Sequence, residues 1–195
     1  HPARKRAPDQ APLIPLHFQG ITGTMQQEKR PYLIELICAL ADKGVAFIIC
    51  GGMAAVYHGV ERMTMDLDIS LDMVPENVRR FLETVRGLGL VPRAPVAADS
   101  LLDAETLKRF VEEKHARVFT FWDPESPYRQ IDVFLTRDQA YSLLRDHTVP
   151  AKVDGRTVRV LSVDKLLEMK TRIPSPRDKD LHDIEALRKV MGDRS

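Results

Sequence analysis

The sequence has little cysteine, no long apolar run and almost no net charge, and each absence narrows the class of protein. Cys38 and Cys50 can form at most one disulfide, and both stand in apolar stretches that predict buried thiols in a reducing cytoplasm. No apolar run approaches the roughly 18 residues that a membrane-spanning helix needs. A formal net charge of +1 argues against a surface coated in basic charge, so any nucleic-acid contact must come from a local patch.

Hydrophobic residues are nevertheless plentiful, at 44% of 195 residues, which suffices for the core of one domain. Residues 1–24 combine a basic cluster with four prolines and show no helical or strand period. They predict a flexible tail, an expression remnant or translated sequence upstream of a start at Met25. We expect one domain over residues 25–195, with a helical C-terminal segment over residues 163–191.

The hydrophobic periodicity predicts an α/β (α+β) fold, with a mixed β-sheet flanked by helices. Helices are predicted over residues 28–43, 53–58, 77–88, 105–114, 138–145, 163–172 and 177–191. Strands are predicted over residues 45–49, 66–71, 118–122, 130–135, 149–153 and 156–161. Asp154 and Gly155 between the last two strands are typical of a hairpin turn. The Pro- and Ala-rich residues 91–103 predict a loop.

A pair of acidic residues on one predicted strand suggests a metal site. Asp66 and Asp68 are two residues apart, so their side chains point to the same face. Two carboxylates held that close repel each other unless a cation lies between them, and Mg²⁺ is a hard cation that takes carboxylate oxygens. Asp132 lies in an otherwise apolar strand and can supply a third carboxylate. An Asp-x-Asp pair alone is also typical of a solvated strand face.

A glycine pair stands between a predicted buried strand and a short helix. Gly51 and Gly52 lack side chains, so the backbone can approach a ligand closely and its amides can point at a phosphate. A Gly-Gly in this place is also typical of a tight turn. Beside a same-face aspartate pair, it predicts a phosphate-binding turn next to a metal site, as nucleotidyl transfer requires.

These motifs together resemble the nucleotidyltransferase fold superfamily related to DNA polymerase β. The shared pattern is an apolar residue before Gly51-Gly52, thirteen further residues, the Asp-x-Asp pair and a distant aspartate on a strand. Within that superfamily, residues 47–59 and 62–69 are similar to the AbiEii-like toxin group. The C-terminal motif of that group is matched by Lys170 and by the Arg-x-x-Asp-x-x-Asp pattern of residues 177–183.

The resemblance implies a role for each matched residue. Asp66 and Asp68 would hold Mg²⁺ and the triphosphate, and Asp132 would complete a second metal site and help activate the acceptor hydroxyl. Two Mg²⁺ ions are expected, with Mn²⁺ as a possible substitute. Gly51 and Gly52 would cradle the β and γ phosphates. The further candidate nucleotide-binding residues are Arg62, Thr64, Lys170, Arg177, Asp180 and Asp183.

Other interpretations compete for the charged residues. A helix carrying Arg177, Asp180 and Asp183 is also typical of a solvated face, and the two aspartates could contact base, ribose or a buried basic partner. Arg62 could bind phosphate, or pair with Glu61 or Asp66 instead. Many superfamily members carry Gly-Ser where this chain has Gly51-Gly52, so one hydroxyl that could touch the triphosphate is missing.

Two histidines and three aromatic residues are not expected to take part in catalysis or nucleotide binding. His58 and His182 have no partner visible in the sequence, so general base catalysis by either is not expected. The aromatic residues Phe119, Phe121 and Trp122 lie on one predicted strand, where core packing is favoured over base stacking.

The resemblance implies a metal-dependent transferase that moves a nucleotide from a nucleoside triphosphate. Its acceptor would be RNA such as a tRNA 3′ end, a protein or a small molecule. It would act in the cytoplasm as the toxin of a toxin–antitoxin or phage-defence pair, with an antitoxin partner and no membrane contact. The alternative is a non-catalytic binding module with the same fold. A glycosyltransferase is disfavoured because the chain is short and the glycine pair precedes the aspartates.

Overall fold

The computed structural model describes residues 31–192, and a seven-stranded mixed sheet organises them. The helices are α1 (Tyr32–Asp42), α2 (Gly51–Tyr57), α3 (Pro75–Gly87), α4 (Ala104–Lys114), α5 (Tyr141–Leu144), α6 (Val163–Thr171) and α7 (Asp178–Gly192). The strands are β1 (Phe47–Ile49), β2 (Asp66–Leu71), β3 (Val91–Pro92), β4 (Val118–Asp123), β5 (Ser126–Phe134), β6 (Thr148–Val153) and β7 (Arg156–Leu161). The predicted mixed α/β architecture with C-terminal helices is confirmed. The prediction for residues 1–24 lies outside the described residues.

The two strands that carry the candidate aspartates are neighbours in the middle of the sheet. The strand order is β3-β4-β5-β2-β1-β7-β6, with β2 parallel to β5 and antiparallel to β1. On β2, Leu67 and Ile69 are fully buried, as the predicted alternation requires. The opposite face of β2 carries Asp66 and Asp68. The inner face anchors the strand, so the outer face holds its carboxylates at fixed positions.

The glycine turn between β1 and α2 differs from its prediction, because α2 begins at Gly51 and not at residue 53. Cys50 is extended and its amide donates a 2.9 Å hydrogen bond to the Asp68 carbonyl. Gly51 then takes φ = +54°, a left-handed conformation that other residues adopt only at a cost. The helix therefore starts at the first glycine, directly beside β2.

Three other boundaries also differ from the predictions. The predicted loop over residues 91–103 contains β3, which pairs with β4, and a 3₁₀-helix at Ala98–Leu102 whose Leu101 is buried. The helix predicted over residues 138–145 is split by extended Ala140 into a 3₁₀-helix at Arg137–Gln139 and α5. Strand β5 begins at residue 126, because Asp123 closes a tight turn by accepting a hydrogen bond from the Glu125 amide.

The aromatic residues of β4 divide between the two faces of the sheet. Phe119 and Phe121 are buried in the core, and Phe121 packs edge-on against Phe81 of α3 with ring centroids 5.5 Å apart. Trp122 is half-buried on the opposite face, where the Arg93 guanidinium lies over its ring. Core packing was therefore the right expectation for the two phenylalanines and the wrong one for Trp122.

The prediction that both thiols are buried is confirmed. Cys38 and Cys50 are both buried, and no disulfide joins them. Among residues 31–192, no helix combines the length and the apolar character needed to cross a bilayer.

We predict that Phe121→Ala strongly destabilises the fold. Phe121 is fully buried between Phe81 and Phe119, so the truncation leaves a cavity and should lower the free energy of unfolding by about 3–5 kcal/mol. Urea denaturation measures this change. Tyr128→Ala on neighbouring β5 is the control, because Tyr128 is 68% exposed and its loss should change stability by less than about 1 kcal/mol. Equal losses for the two variants would contradict the assignment of the core.

Candidate active site

The parallel pairing of β2 with β5 brings three aspartates together. Asp68 and Asp132 are direct partners in the strand register, and Asp66 lies two residues before Asp68. Each of the three offers a carboxylate oxygen, and these oxygens all lie within 4.8 Å of one another. The sequence predicted this convergence from two separate segments, and the register explains it.

The electrostatics of this cluster favour a cation. Burial and, to a smaller extent, the neighbouring charges of Asp66 and Asp132 raise the pKa of Asp68 to about 7, although a hydrogen bond from the Gly52 amide opposes the rise. Burial also raises the pKa of Asp132. Three carboxylates this close cannot all stay ionised at low cost without a positive charge among them. The donor set consists only of carboxylate oxygens, which fits Mg²⁺ or Mn²⁺ better than softer metals.

Two threonine hydroxyls orient two of these carboxylates. Thr120 of β4 donates a 2.6 Å hydrogen bond to Asp132 Oδ1. Thr64 donates a 3.1 Å hydrogen bond to Asp66 Oδ1. Sequence reasoning identified Thr64 as a nucleotide contact and missed Thr120, because nothing in the local sequence indicates which residue pairs with Asp132 across the sheet.

The two glycines touch the site so closely that no larger residue fits. A Cβ on Gly51 would overlap the Asp68 carboxyl. A Cβ on Gly52 would lie 2.5 Å from Thr64 Oγ1 and 3.1 Å from an Arg62 guanidinium nitrogen. A serine at position 52, as in the Gly-Ser pattern, would therefore require Thr64 to shift.

The predicted basic and acidic residues of the C-terminal motif form one ion-pair network around two buried aspartates. Asp183 Oδ2 lies 2.5 Å from Arg62 Nη1 and 2.7 Å from Lys170 Nζ. Asp180 contacts Lys170 at 3.4 Å and Arg177 at 2.9 Å. Asp180 and Asp183 are 3% and 0% exposed, so they do not form a solvated face. Both aspartates have the buried basic partners that the sequence left open as one alternative.

A cleft of about 500 Å³ joins the glycine turn, the aspartates and the C-terminal helices. Its lining includes the glycine pair and the three aspartates together with Arg62, Arg117, Lys165, Lys170, Arg172, Arg177 and Lys179. Four of these cations, Arg117, Lys165, Arg172 and Lys179, were not predicted. The spacing of Lys165 and Met169 on α6 and of Arg172 directly after it was the available signal, since residues three and four apart share one helix face.

A second cavity of about 530 Å³ borders the first on the β4 side. Val118 lines both cavities, and Thr120 lines the second one while bonding Asp132 in the first. The walls of the second cavity are mostly apolar, with Arg93 and Lys114 among them. The aspartates line the first cavity, and Thr120 connects Asp132 to the wall of the second.

Neither His58 nor His182 lines the cleft. His58 is buried, and its Nε2 lies 2.7 Å from the Leu161 carbonyl on β7, outside the cleft. His182 is exposed on α7.

A family model matches this arrangement over nearly the whole described chain. The model describes the AbiEii toxin, a nucleotidyl transferase of type IV toxin–antitoxin systems, and it matches residues 35–194. The chain belongs to the AbiEii family. It is therefore a nucleotidyltransferase, in agreement with the resemblance read from the glycine pair and the aspartates.

Solved structures with the same fold support the architecture of this AbiEii-family chain. The lincomycin-bound lincosamide antibiotic adenylyltransferase LnuA has a TM-score of 0.56 and 12% identity, over 83% of this chain and 98% of that one. The antibiotic-resistance factor ANT(2'')-Ia has a TM-score of 0.52 and 16% identity, over 84% and 83% of the two chains. No curated protein sequence matches the chain. Identities this low establish a shared fold alone.

We predict that Gly51→Ala disrupts the aspartate cluster. The new Cβ would displace the Asp68 carboxyl, so Mn²⁺ binding measured by isothermal titration calorimetry should weaken at least about 10-fold. Gly89→Ala is the matched control: Gly89 also has positive φ, but its Cβ would meet nothing within 4 Å. Both variants carry a backbone cost of about 1–2 kcal/mol. Unchanged Mn²⁺ affinity in Gly51→Ala would contradict this account of the turn.

We also predict a pH-dependent contribution of Asp180 to stability. Burial alone would raise the pKa of Asp180, but hydrogen bonds from Arg177 and the charge of Lys170 lower it to about 2. Because this pKa lies below the unfolded value of about 3.9, ionised Asp180 stabilises the fold above that value, and the contribution is lost as the pH falls towards 2.

The Asp180→Asn variant measures this contribution. Its free energy of unfolding in urea should be about 1–2 kcal/mol below that of the wild type at pH 6. The difference should shrink as the pH falls below about 4. A difference that stays constant from pH 6 to pH 3 would show that the carboxylate charge is not what stabilises this contact.

Proposed function

We propose that the chain transfers a nucleotide from a nucleoside triphosphate to an acceptor hydroxyl, with Asp66, Asp68 and Asp132 as ligands of divalent metal ions. The observation that carries this proposal is the convergence of the three carboxylates within 4.8 Å, directly beside the Gly51 turn. Mg²⁺ is the proposed ion, with Mn²⁺ as a substitute. When bound, the metal supplies charge neutralisation for the triphosphate and lowers the pKa of a coordinated hydroxyl.

The residues around the cleft suggest where the triphosphate binds. The Gly51-Gly52 backbone lines the cleft together with Arg62, Lys170 and Arg177, and an Arg62 guanidinium nitrogen lies close to Gly52. Cations held at fixed positions stabilise the negative charge that develops on phosphate oxygens during transfer. We assign these groups to the phosphates, and we assign the unpredicted Lys165, Arg172 and Lys179 to the same electrostatic field.

We propose that the acidic residues of α7 position the basic side chains of the cleft and do not contact the base of the nucleotide. Asp183 is fully buried and contacts both Arg62 and Lys170 through one oxygen. Asp180 likewise contacts Lys170 and Arg177. These ion pairs hold the long basic side chains in place. Phosphate binding therefore loses less side-chain conformational entropy than it would with free side chains. Thr64 similarly orients Asp66.

The acceptor is proposed to enter from the β4 side. In an in-line displacement, the attacking and leaving oxygens lie on opposite sides of the phosphorus. The glycine turn and the cations line the same cleft as the aspartates, whereas the second cavity borders that cleft at Val118 and is lined by Thr120, the hydrogen-bond partner of Asp132. Asp132 would therefore accept the proton of the attacking hydroxyl. RNA such as a tRNA 3′ end, a protein and a small molecule all remain candidate acceptors.

We propose the biological role from the family to which the chain belongs. AbiEii proteins are toxins of type IV toxin–antitoxin systems, so we propose a toxin that is counteracted by an antitoxin partner. The reducing cytoplasm is the proposed compartment, and the buried thiols of Cys38 and Cys50 are compatible with it. The presence of all three aspartates favours an active enzyme over a binding module with the same fold.

The direct test is transfer of label from nucleoside triphosphates. The protein is incubated with each labelled triphosphate, Mg²⁺ and either total RNA or lysate, and the labelled macromolecule is identified. Asp66→Asn and Asp68→Asn should lower the rate at least about 100-fold, because each removes a charged metal ligand worth several kcal/mol in the transition state.

A matched variant separates metal binding from general loss of acidic charge. Asp146 has a side chain that is 83% exposed and lies outside the residues that line the cleft, so Asp146→Asn should transfer label at the wild-type rate. Wild-type rates in Asp66→Asn and Asp68→Asn would remove the proposed mechanism.

A further inference from the structure

Thr120 lies against the aspartate cluster, where its Oγ1 donates a 2.6 Å hydrogen bond to Asp132 Oδ1. It does not belong to the glycine turn, the Asp-x-Asp pair or the C-terminal motif. We propose that Thr120 is a positioning residue that holds the Asp132 carboxylate in its metal-binding orientation. This inference rests on the proposed function, since it concerns the same metal site.

The position of the Thr120 hydroxyl is fixed by the sheet. Thr120 and Asp132 are direct partners in the antiparallel register of β4 and β5. Its neighbours Phe119 and Phe121 are buried on the other face and anchor the strand. A β-branched side chain on a strand has restricted rotation about χ1, so the hydroxyl stays aimed at its partner. The backbone therefore sets the direction of the hydrogen bond.

The Thr120 hydroxyl is an uncharged donor, and this matters as much as its position. A lysine or arginine at position 120 would also bind the carboxylate, but it would neutralise the negative charge that attracts a metal ion. A hydroxyl donates one hydrogen bond and leaves that charge in place. It engages Oδ1 and leaves the other oxygen of Asp132 to a further ligand. Thr120 thus orients the carboxylate without replacing the metal.

The same arrangement occurs at each of the three carboxylates. Asp68 accepts a hydrogen bond from the Gly52 amide, and Asp66 accepts one from the Thr64 hydroxyl. Each aspartate thus has one neutral donor held by the fold, although the three donors come from three different segments. Hydrogen bonds of this kind keep ligands oriented around metals, and their loss typically weakens metal affinity about 10–100-fold.

The test is the affinity of Thr120→Val for Mn²⁺ alone, measured by isothermal titration calorimetry in the absence of nucleotide. Valine has the same shape as threonine and suits a strand, so the variant should fold. We expect Mn²⁺ to bind about 10-fold more weakly or worse, and Thr120→Ser to recover most of the wild-type affinity. Wild-type affinity in Thr120→Val would overturn the proposal.

Thr84→Val provides the matched control. Thr84 is buried on α3, and its hydroxyl donates a 2.7 Å hydrogen bond to the Arg80 carbonyl, away from the aspartates. The same atoms change, so stability falls for the same reason, but Mn²⁺ affinity should not. An equal loss of Mn²⁺ affinity in Thr84→Val would show that reduced stability weakens binding, and would overturn the role assigned to Thr120.

Asp132→Asn distinguishes failure of this inference from failure of the proposed function. If Asp132→Asn binds Mn²⁺ weakly while Thr120→Val binds it as the wild type does, only the positioning role fails. If Asp132→Asn itself binds Mn²⁺ as the wild type does, the metal assignment fails and the positioning role fails with it. Transfer kinetics add a second readout: loss of metal should raise the KM for the Mg²⁺–nucleotide complex, and serine should restore it.

Discussion

The mutual repulsion of three carboxylates is the constraint on which the rest of the structure depends. Asp66, Asp68 and Asp132 lie within 4.8 Å of one another because the register of β2 and β5 holds them there. Their buried partners on the opposite face, such as Leu67, Ile69 and Ile131, are fully enclosed and keep both strands in place. The apolar core thus maintains an arrangement of charges that is unfavourable without a bound cation.

The surroundings of the cluster limit this repulsion without removing it. Neutral donors from Gly52, Thr64 and Thr120 bind one carboxylate each. The nearby cations Arg62 and Lys170 are paired with Asp183 instead, on the α7 side of the cleft. Negative charge is therefore concentrated at the aspartates and positive charge beside it, which suits a metal ion bound to a triphosphate.

The sequence was informative where one segment carries the whole signal. The alternation of β2 predicted which side of the strand bears Asp66 and Asp68, and the hairpin at Asp154-Gly155 followed from its turn residues. The apolar strand around Asp132 made that aspartate conspicuous. The fold class and the convergence of the aspartates could be expected on these grounds, and the family from the resemblance of the glycine, aspartate and C-terminal motifs to the AbiEii-like group.

The contacts that the sequence missed depend on pairings between distant segments. Thr120 matters only because β4 places it opposite Asp132, and a single sequence does not reveal strand register. The steric conflicts that side chains would meet at Gly51 and Gly52 likewise depend on the distant residues Asp68 and Thr64. Trp122 was assigned to the core because aromatic residues usually pack there, whereas its strand alternation places it on the outer face.

The central claim is that the three aspartates jointly hold a divalent metal ion. Diffraction from crystals soaked in Mn²⁺ and a non-hydrolysable nucleoside triphosphate, recorded with anomalous scattering from manganese, tests it most directly. The account predicts an anomalous peak at bonding distance, about 2.0–2.3 Å, from carboxylate oxygens of Asp66, Asp68 and Asp132. A nucleotide bound in the cleft with no manganese at these carboxylates would contradict it.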